Sequence, residues 1–141
     1  MNETLKVTRT FHVARRHHGR KQLRDGSVPD VPTGRVPRIA RLMALAIRCE
    51  QLIRDGIVAN QSELAQYGHV TTARMTQILT LLNLSPDIQE HILFLPRVER
   101  GRDPIIENDV RPIAQTFDWN KQRRLWSNLQ RSVEQTKVSS R

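Results

Sequence analysis

Thr72, Ala73, Arg74, Thr76, Gln77 and Thr80 fall within nine residues of one another, and their side chains suit the reading of base edges. An arginine donates two hydrogen bonds to guanine O6 and N7, and a glutamine pairs in the same bidentate way with adenine. A threonine offers a hydroxyl beside a methyl that can meet the thymine methyl. Short, neutral neighbours such as Ala73 would let a helix carrying them sit deep in a groove. Between Arg54 and Arg97 the only basic residue is Arg74, so this set is otherwise uncharged.

Such residues must be presented by an element whose other face is buried. Met75, Ile78, Leu79 and Leu82 form an apolar stripe at i, i+3, i+4 and i+7, the period of an amphipathic helix. The spacing predicts a helix over about Thr72 to Leu82, with Thr71 as its N-cap. Asn60-Gln61-Ser62-Glu63 has the form of a capping box and predicts a short helix from Gln61 to Tyr67. Gly68-His69-Val70 is the expected tight turn, and His69 stands where a positive φ is usual. Ala65 is small enough for two helices to approach, and Val70 can plug the turn. Two helices joined this way have the helix-turn-helix layout. In that layout Thr72, Ala73, Arg74, Thr76, Gln77 and Thr80 are the expected base readers, while Ser62 and Thr71 are caps within reach of phosphate.

The wider chain supplies a helical frame. Pro37 opens a helix with Ile39, Leu42, Met43, Ala46, Cys49 and Ile53 at helical spacing, and Gly56 ends it. Ser85-Pro86-Asp87 starts another, which runs to about Leu95. Residues 97–103 are expected as a polar, mobile loop. A short helix follows near Glu107 to Gln115, and Asp118 caps a longer one in which Trp119, Trp126, Leu129 and Val133 share a face. Trp119, Trp126 and Cys49 are expected in the core. Residues 5–13 alternate as a strand, which needs a partner to be stable. The fold class expected is all-α, a helix-turn-helix within a small helical bundle, preceded by a basic N-terminal arm that carries a candidate strand. The segments are residues 1–36 (arm and linker), 37–96 (helix-turn-helix core), 97–136 (C-terminal helices) and a tail, 137–141.

The net charge is +9, distributed as an excess of +5 in residues 1–36, 0 in 37–96 and +4 in 97–141. A basic excess on the flanks of a neutral core favours a polyanionic partner. Arg15, Arg16, Arg20 and Lys21 form an arm expected to touch phosphates or the minor groove. Arg123 and Arg124, with Lys121 and Arg131, either meet backbone phosphates or form the wet face of the last helix. The six aromatic residues are too few for a stacking platform on single strands. His17-His18 lacks supporting ligands for a metal. The lone cysteine excludes an internal disulfide, and no nucleophile, Walker or dinucleotide motif is present. Neither an enzyme, a cofactor, a metal nor a small-molecule ligand is expected, and no apolar run is long enough for a membrane span. The expected location is the cytoplasm, on the nucleoid.

The runs Gln61-Ser62-Glu63-Leu64-Ala65, Thr71-Thr72-Ala73-Arg74-Met75-Thr76-Gln77-Ile78-Leu79 and Leu81-Leu82-Asn83-Leu84-Ser85-Pro86-Asp87-Ile88-Gln89 together resemble the helix-turn-helix core of ParB/KorB-type partition proteins. The resemblance spans about Arg54 to Leu95, under a third of the chain. The spacing of Glu107, Arg111, Trp119 and Gln122 is similar to the helices that follow in that family. The resemblance implies double-stranded DNA binding by a trihelical module with supporting helices. The family's N-terminal nucleotide-binding region has no counterpart in residues 1–36, and its Arg-rich motif maps neither onto Arg15-Arg16 nor onto Val36-Pro37-Arg38. A nucleotide-switched clamp is therefore not implied. The expected role is a sequence-specific regulator of transcription, or an accessory factor in partition or recombination of a mobile element, acting as a homodimer because one module reads few base pairs. The alternatives are a basic RNA-binding protein and a protein-interaction adaptor that uses the same helices as scaffold.

Overall fold

The apolar period that begins at Ile39 produces the first helix. The computed structural model describes residues 6–15, 21–28 and 32–140, so Leu5, Arg16, His17, His18 and Arg20 lie outside the described residues. Helix α1 runs Arg38–Arg54 and buries Ile39, Ala40, Met43, Ala46 and Cys49 on one face. Ile39 and Met43 are fully buried, and a side chain of that size contributes about 1.5–3 kcal/mol when removed from water. Pro37 is the N-cap rather than the first helical residue. The capping acceptor comes from elsewhere in the chain: Asp103 Oδ2 accepts the Arg38 N–H at 2.8 Å.

Helix α2, Gln61–Tyr67, has the bounds expected. Asn60 Oδ1 accepts the Glu63 N–H at 3.0 Å, and Glu63 Oε2 reaches back to the Ala59 N–H at 2.7 Å. Helix α3, Thr72–Leu79, is shorter than the stripe suggested, and a 3-10 turn over Thr80–Asn83 completes it. Helix α4 is Pro86–Leu93, α5 is Glu107–Ala114 and α6 is Trp119–Ser139.

Two apolar clusters hold these helices together. The larger gathers Ile39, Met43, Leu81, Leu84, Ile88, Ile92, Val110, Ile113 and Trp126 from α1, the 3-10 turn and its end, and α4 to α6. The smaller joins Cys49, Val58, Leu64, Ala65 and Met75, from α1 to α3 and the α1–α2 link. Helix α3 spans both, with Met75 in one and Ile78 in the other. Cys49 is buried as expected, and desolvation raises its thiol pKa.

One buried polar side chain ties the middle of the chain to its end. Gln122, on α6, is fully buried. Its Oε1 accepts the Ser85 N–H at 2.8 Å, and its Nε2 donates to the carbonyls of Asn83 at 3.0 Å and Thr116 at 2.6 Å. All of its polar atoms are thereby satisfied, as a buried amide requires. Trp126 is buried and donates Nε1–H to His91 Nδ1 at 3.2 Å. Trp119 departs from expectation: it is 49% exposed. It shares the Trp126 face of α6 but opens the helix, one turn before Gln122, the first buried residue.

The loop over residues 97–103 is pinned rather than loose. Val98 is buried and pairs with Arg35 in an isolated antiparallel bridge. Asp103 accepts Arg35 Nη2 at 2.6 Å as well as the Arg38 N–H. Gly34 (φ 92°) lies so close to this bridge that a Cβ there would stand 2.9 Å from the Val98 carbonyl oxygen, so only glycine fits.

The chain divides into two compact units, residues 1–33 and 34–141. In the first, the strand falls at Phe11–Arg15 (β1) and pairs antiparallel with Lys21–Asp25 (β2), a strand the sequence did not announce. The register sets Val13 opposite Leu23 and Phe11 opposite Asp25. Phe11, Val13 and Leu23 are at least half exposed. Among the described residues the fold is thus a small helical domain with a two-stranded hairpin.

Candidate nucleic-acid interface

The α2–α3 connection determines how α3 is displayed. Gly68 remains right-handed (φ −82°), and His69 takes the left-handed conformation at φ 53°. The Val70 N–H bonds to the Ala65 carbonyl at 3.0 Å, which closes the turn. Val70 itself is 39% exposed, so it covers the turn without being buried in it. Thr71 Oγ1 accepts the Arg74 N–H at 3.1 Å and caps α3.

Beyond that cap, Thr72, Ala73, Thr76 and Gln77 are exposed, while Met75 and Ile78 are buried beneath them. Thr80 is half-buried, and its hydroxyl donates to the Thr76 carbonyl at 2.8 Å. Thr76 Oγ1 donates to the Thr72 carbonyl at 3.0 Å and lies 3.4 Å from Gln61 Oε1 on α2. With their protons engaged on the helix, these hydroxyls have lone pairs left and act outward as acceptors. Ser62 and Thr71 are exposed at the N-terminal ends of α2 and α3.

Arg74 is not an independent cation. Its Nη1 and Nη2 donate to Glu107 Oε1 and Oε2 at 2.6 and 2.9 Å, a bidentate pair across 33 residues of sequence. Arg111 Nη2 adds a third bond to Glu107 Oε1 at 3.1 Å. The Arg74 bond, ahead of that from Arg111, holds the Glu107 carboxyl below its ordinary pKa, and the Arg74 pKa is raised in return. The same Nη1 donates to Gln77 Oε1 at 3.1 Å. Gln77 therefore has its carbonyl end turned inward and its amide N–H groups as its remaining donors. Glu107 holds the Arg74 guanidinium and Arg111 in turn holds Glu107, contacts that no local pattern around α3 reveals.

The basic residues expected to meet phosphate differ among themselves. Arg123 is paired with Asp87, Nε to Oδ2 at 3.0 Å and Nη2 to Oδ1 at 3.2 Å, and this bond is the largest cause holding the Asp87 pKa at about 2. Arg124 and Lys121 are exposed and make no ion pair among the described residues. Arg131 bonds Asn128 at 2.7 Å. Lys21 is exposed at the start of β2, and Arg15 ends β1 opposite it. Among the described residues no group of three His, Cys, Asp or Glu side chains could hold a metal, and no helix is long and apolar enough to cross a membrane.

The chain matches no family model, no curated protein and no solved structure.

Proposed function

We propose that α2 and α3 form a helix-turn-helix that reads double-stranded DNA, with α3 in the major groove. The observation that carries this reading is the outward face of α3: Thr72, Ala73, Thr76 and Gln77 are short, neutral and exposed, on a helix that contains no acid and whose other face is buried. Such a face can approach base edges without meeting phosphate repulsion. Gln77, held by Arg74, offers N–H donors to guanine O6 or N7, adenine N7 or thymine O4. Thr76 offers an acceptor, which suits the amino groups of adenine or cytosine. Arg74 acts through Gln77, and it reaches a base itself only by exchanging Glu107. The N–H groups of the first turn of α3, with Thr71 and Ser62, are the phosphate contacts.

Affinity that does not depend on sequence comes from the basic flanks, Lys21 and its hairpin neighbours and Arg124 on α6, through counterion release. A homodimer would double the sequence read, and the role is that of a transcriptional regulator or an accessory factor for partition or recombination of a mobile element. The resemblance of residues 54–95 to ParB/KorB-type modules supports the DNA-binding part of this reading.

The test is fluorescence anisotropy with labelled duplex DNA at near-physiological salt of about 150 mM, with structured RNA as competitor. Duplex binding that survives the RNA and weakens linearly in log salt is expected. Preferential capture of the protein by the RNA would overturn the proposal.

A further inference from the structure

Away from α3, the second unit contains an open groove of about 1030 Å³ between residues 95–105 and the C-terminal half of α6. Leu95, Ile105, Leu129 and Val133 contribute its apolar lining, and Leu129 and Val133 are one turn apart on α6. Arg97, Arg100 and Arg102 line one side and Lys137 the other. These four cations make no ion pair among the described residues. Among the described residues Arg97 donates only to the Gly34 carbonyl, at 3.1 Å. Three acids also line the groove, Glu99, Asp103 and Asp109; two are committed to the framework, Asp103 to Arg35 and the Arg38 N–H, and Asp109 to the Ile106 N–H at the start of α5.

We infer that this groove docks an acidic, amphipathic helical segment of another protein. Apolar side chains at i, i+3, i+4 and i+7 would pack on the strip formed by the partly exposed Leu95, Leu129 and Val133, with buried Ile105 as its floor, the helix-in-groove mode of recognition. Carboxylates on the flanks would meet Arg97, Arg100, Arg102 and Lys137, and complementary charge of this kind selects the partner and speeds its arrival. A small molecule fits less well, because among the described residues no unsatisfied buried polar atom lines the groove to orient one. A second copy of this chain, itself strongly basic, would set cations against cations. Phosphate has no use for the apolar floor.

The groove and the outward face of α3 are served by different sides of α5. Glu107 faces Arg74 and Asp109 lines the groove, and two residues along a helix turn the side-chain direction by about 200°. The inference therefore stands whether or not α3 reads DNA.

The probe is a fluorescein-labelled peptide of about 15 residues, with leucine at i, i+3, i+4 and i+7 and glutamate at most other positions. Saturable binding to the full chain near physiological salt is expected. The double substitution Arg100→Glu/Arg102→Glu, at exposed side chains, should weaken it roughly tenfold or more, and Val133→Glu should do the same. Circular dichroism melting checks that each variant folds; should Val133→Glu unfold, the arginine pair decides alone. Four results overturn the inference: no saturable binding; equal binding of the peptide with leucines changed to serine; competition by short duplex DNA that is lost in the same arginine variant; and self-association that Val133→Glu abolishes.

Discussion

Replacing Glu107 by glutamine opens the joint between α3 and α5, and its consequences are calculable. The carboxylate is 15% exposed and accepts bonds of 2.6 and 2.9 Å from Arg74 and 3.1 Å from Arg111. Removing one partner of a fully buried ion pair costs about 3–5 kcal/mol. Here Arg74 and Arg111 are 28% and 35% exposed, so water relieves part of the loss. The expected cost is about 1–3 kcal/mol, read from urea unfolding followed by the fluorescence of buried Trp126. A double-mutant cycle with Arg74→Met should give a coupling of about 1–2 kcal/mol. The substitution also adds a net positive charge beside the face of α3. Binding to duplex of any sequence should tighten, and the slope of log K against log salt should steepen by about one phosphate's worth, ~0.9. Stability within about 0.5 kcal/mol of the unaltered chain, together with zero coupling, would refute the claim that Glu107 aims α3.

Three further expectations follow from the same packing. Gln122→Met strands the Ser85 N–H and the Asn83 and Thr116 carbonyls and should cost about 3–5 kcal/mol in urea unfolding; a loss no larger than that of a typical surface change would show that the clamp is idle. His69→Gly relieves the left-handed φ of 53° and should raise stability by about 0.5–1 kcal/mol, whereas His69→Val, β-branched, should lower it; equal melting of the two would remove the strain argument. Stability should also depend on acid. Glu107, Asp103 and Asp87 have folded pKa values below their ordinary ones, Asp87 at about 2. Their contribution is present above the unfolded pKa of about 4 and is lost as pH falls from there toward 2. Unfolding free energy should be nearly flat from neutral pH to about 5 and decline below, and a rise in that range would contradict these pairings.

What the sequence discloses is what local chemistry determines. The bounds of α2 follow from Asn60 and Glu63, whose hydrogen bonds lie within four residues. The turn at His69 follows from its place between two periodic segments. The buried face of α3 follows from its 3.6-residue stripe. Most features that escape the sequence are contacts between distant residues. Arg74 looks like a lone cation until α5 brings Glu107 to it. Residues 97–103 look solvated until Arg35 and the start of α1 bind Val98 and Asp103. Strand β2 has one apolar residue, Leu23, in the run Lys21-Gln22-Leu23-Arg24-Asp25, too few to show a period, and only its pairing with β1 makes it a strand. Trp119 matches Trp126 in spacing, but spacing alone does not tell where along α6 the core begins.

The central claim is that the outward face of α3 reads bases in duplex DNA, and Gln77 is its most testable residue. Parallel selection from a randomised duplex pool with the unaltered chain and with Gln77→Ala tests it most directly. The account predicts an enriched motif for the unaltered chain, with half-sites about one helical turn apart in a dimer, and the same motif relaxed at one or two positions for the variant, a discrimination of about 1–3 kcal/mol. No enrichment with either protein, or an identical motif with both, would contradict it.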